Sequence, residues 1–413
     1  MTLEVQAGGT ALARCVACSE QTFAEQNWGR EPRLSRAAEL GGDFSDLLSP
    51  AAVDELVSAR GLRTPFLRMA KDGSVLPAAS FTRGGGAGAG MKDQVADDKV
   101  LAAIADGATL VLQGLHRTWP PLVEFNALLA QELGHPSQIN AYITPPQNQG
   151  FAPHHDVHDV FVLQVSGRKH WTVHPPVVED PLDSQPFGDF NAAINERVNE
   201  PPLIDTVLEP GDALYLPRGT IHSAQALGEI SIHLTVGIHP LTRYGLVRLL
   251  LDAVQDDPEL RTSLPMGVDL SDPDALAPHL SATVGALKTS LERVSASRVA
   301  DRLANDLMQR TRPEAIGPLA QLAAIEVLDI DTPLRRRAAL RLRLEPGGDP
   351  DGRERLKIVL LDRTIDLPAD TAEAVRAAVA GQVFSPGELP GLDAADQLTL
   401  TRRLLREGIL VPA

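Results

Sequence analysis

The segment Pro153-His154-His155-Asp156 places a histidine and a carboxylate two residues apart. On an extended chain positions i and i+2 project to one face, so His154 and Asp156 can reach a single ion together. A third ligand must come from elsewhere. His222, in Leu216-Pro217-Arg218-Gly219-Thr220-Ile221-His222, stands on a strand-like run entered through a Pro-Gly turn, well placed if the two strands face each other across a barrel. Two imidazoles and one carboxylate make a facial triad that leaves three positions of an octahedral iron open. Zinc sites more often close to four ligands. Three open positions allow a chelating 2-oxo acid to take two and dioxygen the third. A chelator with a distal carboxylate then needs a cation at the far end of the pocket, and Lys169, after the Ser166-Gly167 turn, can supply it; composition alone would make it a surface lysine. Asn140 and Tyr142 share a face of one strand-like run and can line a cavity. His155 falls on the face opposite His154, His158 lies further along the same run, and His233 and His239 flank the final strand; for each the expectation is an ordinary core or surface histidine.

The elements that must hold these groups lie between Ser137 and Pro240. There INAYIT (139–144), DVFVLQVSG (159–167), KHWTVHP (169–175), DALYLPRG (212–219) and ISIHLTVGIHP (230–240) form strand-length runs bounded by Gly and Pro. Many short strands separated by turn signals argue for an antiparallel barrel or sandwich. Residues 15 to 135 alternate short apolar runs with Gly/Pro breaks. The Gly84–Gly90 stretch lacks the Lys-Ser/Thr ending of a phosphate loop and reads as a surface loop.

After Pro240 the texture becomes helical. Tyr244, Val247, Leu250 and Leu251 recur at helical spacing, and a second helix is expected from about Leu280 to Leu307. Such helices bury an apolar face against a neighbour or a second subunit. The strand-like AALRLRLE (338–345) and LKIVLLD (356–362) precede a helical stretch from about Ala369 to Ala380, a short turn capped by Ser385, a helix from Ala394 to Arg406, and the strand ILV (409–411). That order suggests a winged-helix module. From Arg353 onward it holds eight basic and nine acidic residues, too balanced for a DNA-reading surface. Arg335 to Arg343 contains five arginines and reads as a solvated strand face.

The 413 residues carry 38 Lys+Arg against 54 Asp+Glu, a net charge of −16, with 43% apolar and 22% charged residues. That length predicts two or three domains with cores of their own and excludes wholesale disorder. An acidic balance disfavours general affinity for DNA or anionic membrane and suits a basic protein partner. No run of about 18 apolar residues occurs, and MTLEVQAGGT is unlike a leader peptide, so a soluble, cytoplasmic protein is expected. Cys15 and Cys18 offer half of a structural zinc site and read as two helix thiols spaced by accident.

The run from His154 to Trp171 resembles the metal strand and following hairpin of the JmjC-type ribosomal oxygenases. Gly211-Asp-Ala-Leu-Tyr-Leu-Pro217-Arg218-Gly219-Thr-Ile-His222 is similar to their second metal motif, Ser231-Ile-His233-Leu-Thr235 to the next strand, and Phe23 to Pro32 to the opening helix. The resemblance implies an α+β chain: a double-stranded β-helix (JmjC/cupin) barrel over 1–240, a helical dimerisation domain over 241–316, and a winged-helix domain over 317–413. It implies an Fe(II)- and 2-oxoglutarate-dependent oxygenase, using O2, that hydroxylates Arg or His of a basic ribosomal protein. N-methyl-lysine demethylation on the same iron core, or a non-catalytic metal-binding module, are the alternatives. On that mapping His154, Asp156 and His222 hold iron, Lys169 holds the distal carboxylate, Asn140 and Thr235 lie at the cosubstrate, and Tyr142 meets the substrate. Gly237 replaces a serine of close relatives, and Val111 stands where one branch has arginine. A homodimer without direct DNA binding is expected.

Overall fold

The computed structural model describes residues 10–413 apart from 72, 89, 147, 149 and 150. The chain divides into two compact units, Met1–Pro240 and Leu241–Ala413. Among the described residues of the first, thirteen strands run in order: β1 (Arg33–Ser35), β2 (Leu67–Lys71), β3 (Ser74–Val75), β4 (Thr82–Arg83), β5 (Gln94–Val95), β6 (Thr109–Leu112), β7 (Ser137–Thr144), β8 (Asp159–Ser166), β9 (Lys169–His174), β10 (Ile204–Leu208), β11 (Ala213–Leu216), β12 (Ile221–Ala226) and β13 (Ser231–Ile238). An eight-stranded sheet has the order β1-β11-β8-β13-β7-β6-β2-β3, and a three-stranded sheet has β10-β9-β12. Every pairing in the two sheets is antiparallel.

β8 explains how the sheets meet. Its run Asp-Val-Phe-Val-Leu-Gln-Val is buried on both faces. Alternate residues therefore serve two cores. Val160 and Val162 join Trp171, Val173, Leu208, Leu214 and Leu216 from both sheets. Phe161, Leu163 and Val165 join Tyr215, Phe23 and the helix Pro120–Leu133 in a larger cluster. Each such side chain taken fully from water contributes about 1.5–3 kcal/mol, an upper bound because the unfolded chain is already partly compact.

The strands between Arg33 and Leu112 escape a sequence reading because they are two to five residues long, and β6 is buried throughout, so no alternation marks it. Cys15 and Cys18 are not on a common helix. Leu12–Arg14 is one 3-10 turn that Cys15 ends, and Cys18 lies in a bend. The opening segment is an α-turn, Glu20–Thr22, widening into a π-turn at Phe23–Asn27. Among the described residues of Gly84–Gly90 there is neither helix nor strand, and Gly86 and Gly88 lie at φ +78° and +82°.

In the second unit, helices span Arg243–Val254, Pro273–Glu292, Ala296–Arg310, Pro318–Glu326, Ala372–Ala378 and Ala394–Arg406. The single helix expected over 280–307 is two: Ser295 interrupts it, its hydroxyl capping the second by accepting from Arg298 N–H. β14 (Leu334–Arg336), β15 (Arg343–Gly348), β16 (Glu354–Val359), β17 (Thr364–Pro368) and β18 (Leu410–Pro412) complete the unit, with β15-β16-β17 one antiparallel sheet and β14-β18 a second. β15 begins at Arg343, five residues later than the apolar alternation suggests. The Arg335–Arg343 stretch is not a solvated face. Arg335 forms a 2.7 Å ion pair with Glu314, Arg336 donates to the Leu340 and Val379 carbonyls, Arg337 donates to the Glu314 carbonyl, and Arg343 donates to Asn305. Their donors are occupied by the unit's own acceptors.

Candidate metal centre and cosubstrate pocket

His154 and Asp156 are not on a ladder strand: β8 begins three residues after Asp156. What orients them is one isolated antiparallel bridge between His154 and His222. His222 N–H donates to the His154 carbonyl at 2.9 Å, and His154 N–H to the His222 carbonyl at 3.2 Å. Gly219 N–H donates to the Asp156 carbonyl at 2.9 Å, and Arg218 N–H to the Asp159 carboxylate at 2.8 Å. The 217–222 turn is thus fastened to the 154–159 segment at three heights. Gly219 has φ +84°, and a Cβ there would stand 2.5 Å from the Val178 carbonyl. Only glycine makes this turn without displacing backbone.

The ligand atoms of His154, Asp156 and His222 all lie within 4.8 Å of one another, and His222 Nε2 is 3.8 Å from Asp156 Oδ2. The rest of each imidazole fits a metal. His154 Nδ1 is 2.8 Å from the Ala152 carbonyl and His222 Nδ1 is 3.0 Å from the Thr220 carbonyl. A carbonyl only accepts, so both Nδ1 atoms carry the proton and each Nε2 keeps a lone pair facing the cluster. Burial, reinforced by the neighbouring His154, holds His222 down to about 4, so its ring is neutral. Burial alone would raise Asp156, but His158, His222, His154 and His155 outweigh it and hold the carboxylate below its usual range. Two neutral imidazoles and one carboxylate are the donor set of a divalent transition metal.

Lys169, at the start of β9, is 3% exposed, not a surface lysine. Its ammonium donates to Thr144 Oγ1 at 3.1 Å, and burial holds its pKa at about 7. An ammonium has three donors, so this one is equipped for an anion. Thr144 is the pocket residue the sequence reading missed. It lies two residues beyond Tyr142 on the same strand face, so strand periodicity pointed to it.

Tyr142 stacks on His233 with ring centroids 5.1 Å apart, and Trp171 lies 5.5 Å from His233 and 6.0 Å from His222. Phe151 sits 6.2 Å from Tyr142 and 5.9 Å from His154, and Phe187 5.6 Å from His154. His233 is 3% exposed and packed between Tyr142 and Trp171, a core histidine as expected. Asn140 and Thr235 pair directly across β7 and β13. Asn140 Oδ1 accepts the Gly114 N–H at 3.0 Å, so its amide N–H groups are not used in that bond. His155 points elsewhere, its Nε2 3.3 Å from the Gln185 carbonyl, and His158 packs on His239. Gly237 lies against that pair; a Cβ there would stand 3.0 Å from the His158 ring.

Residues 120–246 match the family model described as JmjC domain. This span holds the whole metal cluster and Lys169. Over that span the chain resembles a JmjC domain, and its relatives include ribosomal oxygenases. It is 26% identical over 310 residues, 72% of its length and 47% of the relative's, to the bifunctional lysine-specific demethylase and histidyl-hydroxylase NO66 of Aedes aegypti. It is 32% identical over 228 residues, 51% of its length and 37% of the relative's, to ribosomal oxygenase 1 of Rattus norvegicus. The chain thus spans about half or less of the length of these curated relatives. Among solved structures, the Escherichia coli ribosomal oxygenase YcfD in complex with cobalt and 2-oxoglutarate has the same fold: TM-score 0.50, 18% identity, with 95% of this chain and 98% of that one covered. The α+β architecture of a JmjC/cupin protein follows. No helix among the described residues is long and apolar enough to cross a membrane.

Proposed function

We propose that this chain is an Fe(II)- and 2-oxoglutarate-dependent protein hydroxylase, with His154, Asp156 and His222 as the iron ligands. The observation that carries the reading is the convergence of two Nδ1-tethered imidazoles and one carboxylate beside a buried, under-partnered ammonium. Bound iron with 2-oxoglutarate and O2 supplies the oxidising chemistry that replaces an unactivated C–H by C–OH. The chain does the rest. The bridge between His154 and His222 and the Gly219 N–H bond to the Asp156 carbonyl hold the three ligand residues together, where they would hold the iron. Lys169, with Thr144, receives the distal carboxylate of 2-oxoglutarate. Asn140 and Thr235 border the chelating end. Tyr142, Phe151 and Trp171 surround the site with rings that keep out water and hold the target carbon in place.

The relatives' names, histidyl-hydroxylase and ribosomal oxygenase, support a side chain of a basic ribosomal protein as target, and the net charge of −16 favours encounter with such a polypeptide. We further assign 1–240 as the oxygenase domain, 241–316 as a helical dimerisation domain and 317–413 as a winged-helix domain. Supporting the dimer, Tyr244, Val247 and Leu251 leave an apolar stripe 55%, 46% and 47% exposed on Arg243–Val254. Supporting the winged helix, β18 follows Ala394–Arg406 and pairs back onto β14. The occupied arginines of 335–343 support a module without direct DNA binding, and a cytoplasmic location suits a ribosomal substrate.

Anaerobic addition of Fe(II) and 2-oxoglutarate should produce the weak visible charge-transfer band of a chelated 2-oxo acid, lost in the Asp156→Ala variant. Mass spectrometry of ribosomal proteins from cells with and without the gene should then show one protein that gains a single oxygen. Absence of the spectral band would end the oxygenase reading.

A further inference from the structure

Arg68 occupies the same transverse row of the large sheet as Tyr142. Arg68 pairs with Val111, Val111 with Tyr142, and Tyr142 with His233. Residues directly opposed on antiparallel strands share a face. The row therefore turns Arg68 to the same side as Tyr142 and His233, the side that also carries Asn140 and Thr235. The guanidinium carbon lies 5.5 Å from the centroid of Phe151, the ring that stands beside both Tyr142 and His154. Arg68 also acts on the Tyr142 hydroxyl through its charge and a side-chain hydrogen bond. Its Nε is buried without a hydrogen-bond partner. Unlike Arg335, which pairs with Glu314, it has no ion pair among the described residues. Val111, between it and Tyr142, adds no charge. A cation with a spare donor thus stands one aromatic ring away from the metal-ligand cluster.

We propose that Arg68 sets the charge selectivity of the site: the target side chain seated against Tyr142 and Phe151 is a neutral hydrogen-bond acceptor, an imidazole, and not a guanidinium or a methylammonium. This rests on the oxygenase reading and narrows its substrate class. A second cation brought within about 6 Å of Arg68 in a partly desolvated pocket meets repulsion worth roughly ten- to a hundredfold in affinity. A neutral imidazole meets none, can accept from the unfilled Arg68 donor, and can stack on the neighbouring rings. The acidity of the chain does not conflict with this. It acts over long range on the whole approaching polypeptide, whereas Arg68 acts at contact on one side chain.

Three peptides with identical basic flanks and a central His, Arg or N-methyl-Lys separate the possibilities. They are titrated by fluorescence anisotropy into the full-length protein loaded with Mn(II) and 2-oxoglutarate. The His peptide should bind at least about tenfold tighter than the other two. Arg68→Met should reduce that gap to under about threefold, and Arg68→Lys, which keeps the charge, should preserve it. Equal affinities in the wild type, a preference for the Arg peptide, or a gap that survives in Arg68→Met with unchanged melting temperature each overturn the proposal. Turnover is read separately with Fe(II) by mass spectrometry. Binding that tracks Arg68 with no one-oxygen product sinks the oxygenase reading while leaving the selectivity standing; a failure of all three peptides to bind overturns the selectivity.

Discussion

The Lys169 ammonium lies 3.1 Å from Thr144 Oγ1 in a pocket where burial holds its pKa at about 7, against 10.5 for an ordinary lysine. The folded state disfavours its charge. Above about pH 10.5 the amine is neutral in both folded and unfolded chains. As pH falls from there to about 7, the unfolded chain takes up a proton the folded one refuses, and stability is lost at about 1.4 kcal/mol per pH unit; below 7 no more is lost. Lys169→Met should remove this component. Denaturant melts of the metal-free protein at pH 7, 8 and 9 should show the variant ahead by most at pH 7, with the gap shrinking as pH rises. Parallel curves would refute the assignment.

Seating a dicarboxylate against Lys169 restores the charge. Above pH 7 2-oxoglutarate binding should then take up a proton, and affinity should fall by up to about tenfold per pH unit until the bound-state pKa is reached. His233, held neutral above all by burial, adds no competing cation. Calorimetry at pH 8 in two buffers of different ionisation enthalpy measures the uptake directly; equal apparent enthalpies would show that no proton moves.

Asp156 supplies the cluster's negative charge. Asp156→Asn keeps the shape and removes it, so Mn(II) affinity should drop by at least about a hundredfold, the upper end of what lesser, indirect perturbations of metal sites cost. The backbone bond from Gly219 N–H to the Asp156 carbonyl is untouched, so the fold should persist. Electron paramagnetic resonance of added Mn(II) gives the affinity and far-ultraviolet circular dichroism the fold. Wild-type affinity in this variant would remove Asp156 from the metal set.

Gly219 couples turn geometry to the metal cluster. Gly219→Ala must move a Cβ away from the Val178 carbonyl at 2.5 Å and from Pro181 at 2.9 Å while holding a positive φ. The expected cost is about 2–4 kcal/mol of stability, with weaker metal binding as His222 shifts with the turn. Thermal melts with and without Mn(II) measure both; a variant with wild-type stability and affinity contradicts this account of the turn.

Cys15 is 1% exposed, and its burial pushes the thiol far above its ordinary pKa, whereas Cys18 is half-buried. A thiol reagent under native conditions should modify about one cysteine per chain, Cys18, and both only after denaturation. Rapid native modification of both would show that the Leu12–Arg14 turn opens.

Chemistry and architecture were legible in the sequence to different depths. The spacing of His154 and Asp156, the Pro-Gly turn before His222 and the alternation around Lys169 are local patterns, and local patterns follow from residue type and strand period. The helix Ala394–Arg406 and the strand after Gly408 read correctly for the same reason: capping and apolar periodicity are short-range. What the periodicity could not carry was partnership. That His154 is aimed by a single bridge rather than a ladder, that Thr144 meets Lys169, that Arg335 pairs with Glu314, and that Arg68 aligns with Tyr142 across an intervening strand all depend on pairings between residues 21 to 74 positions apart. Register between distant strands is set by packing of the whole sheet, so only the folded chain decides which charges end up with partners and which are left facing the pocket.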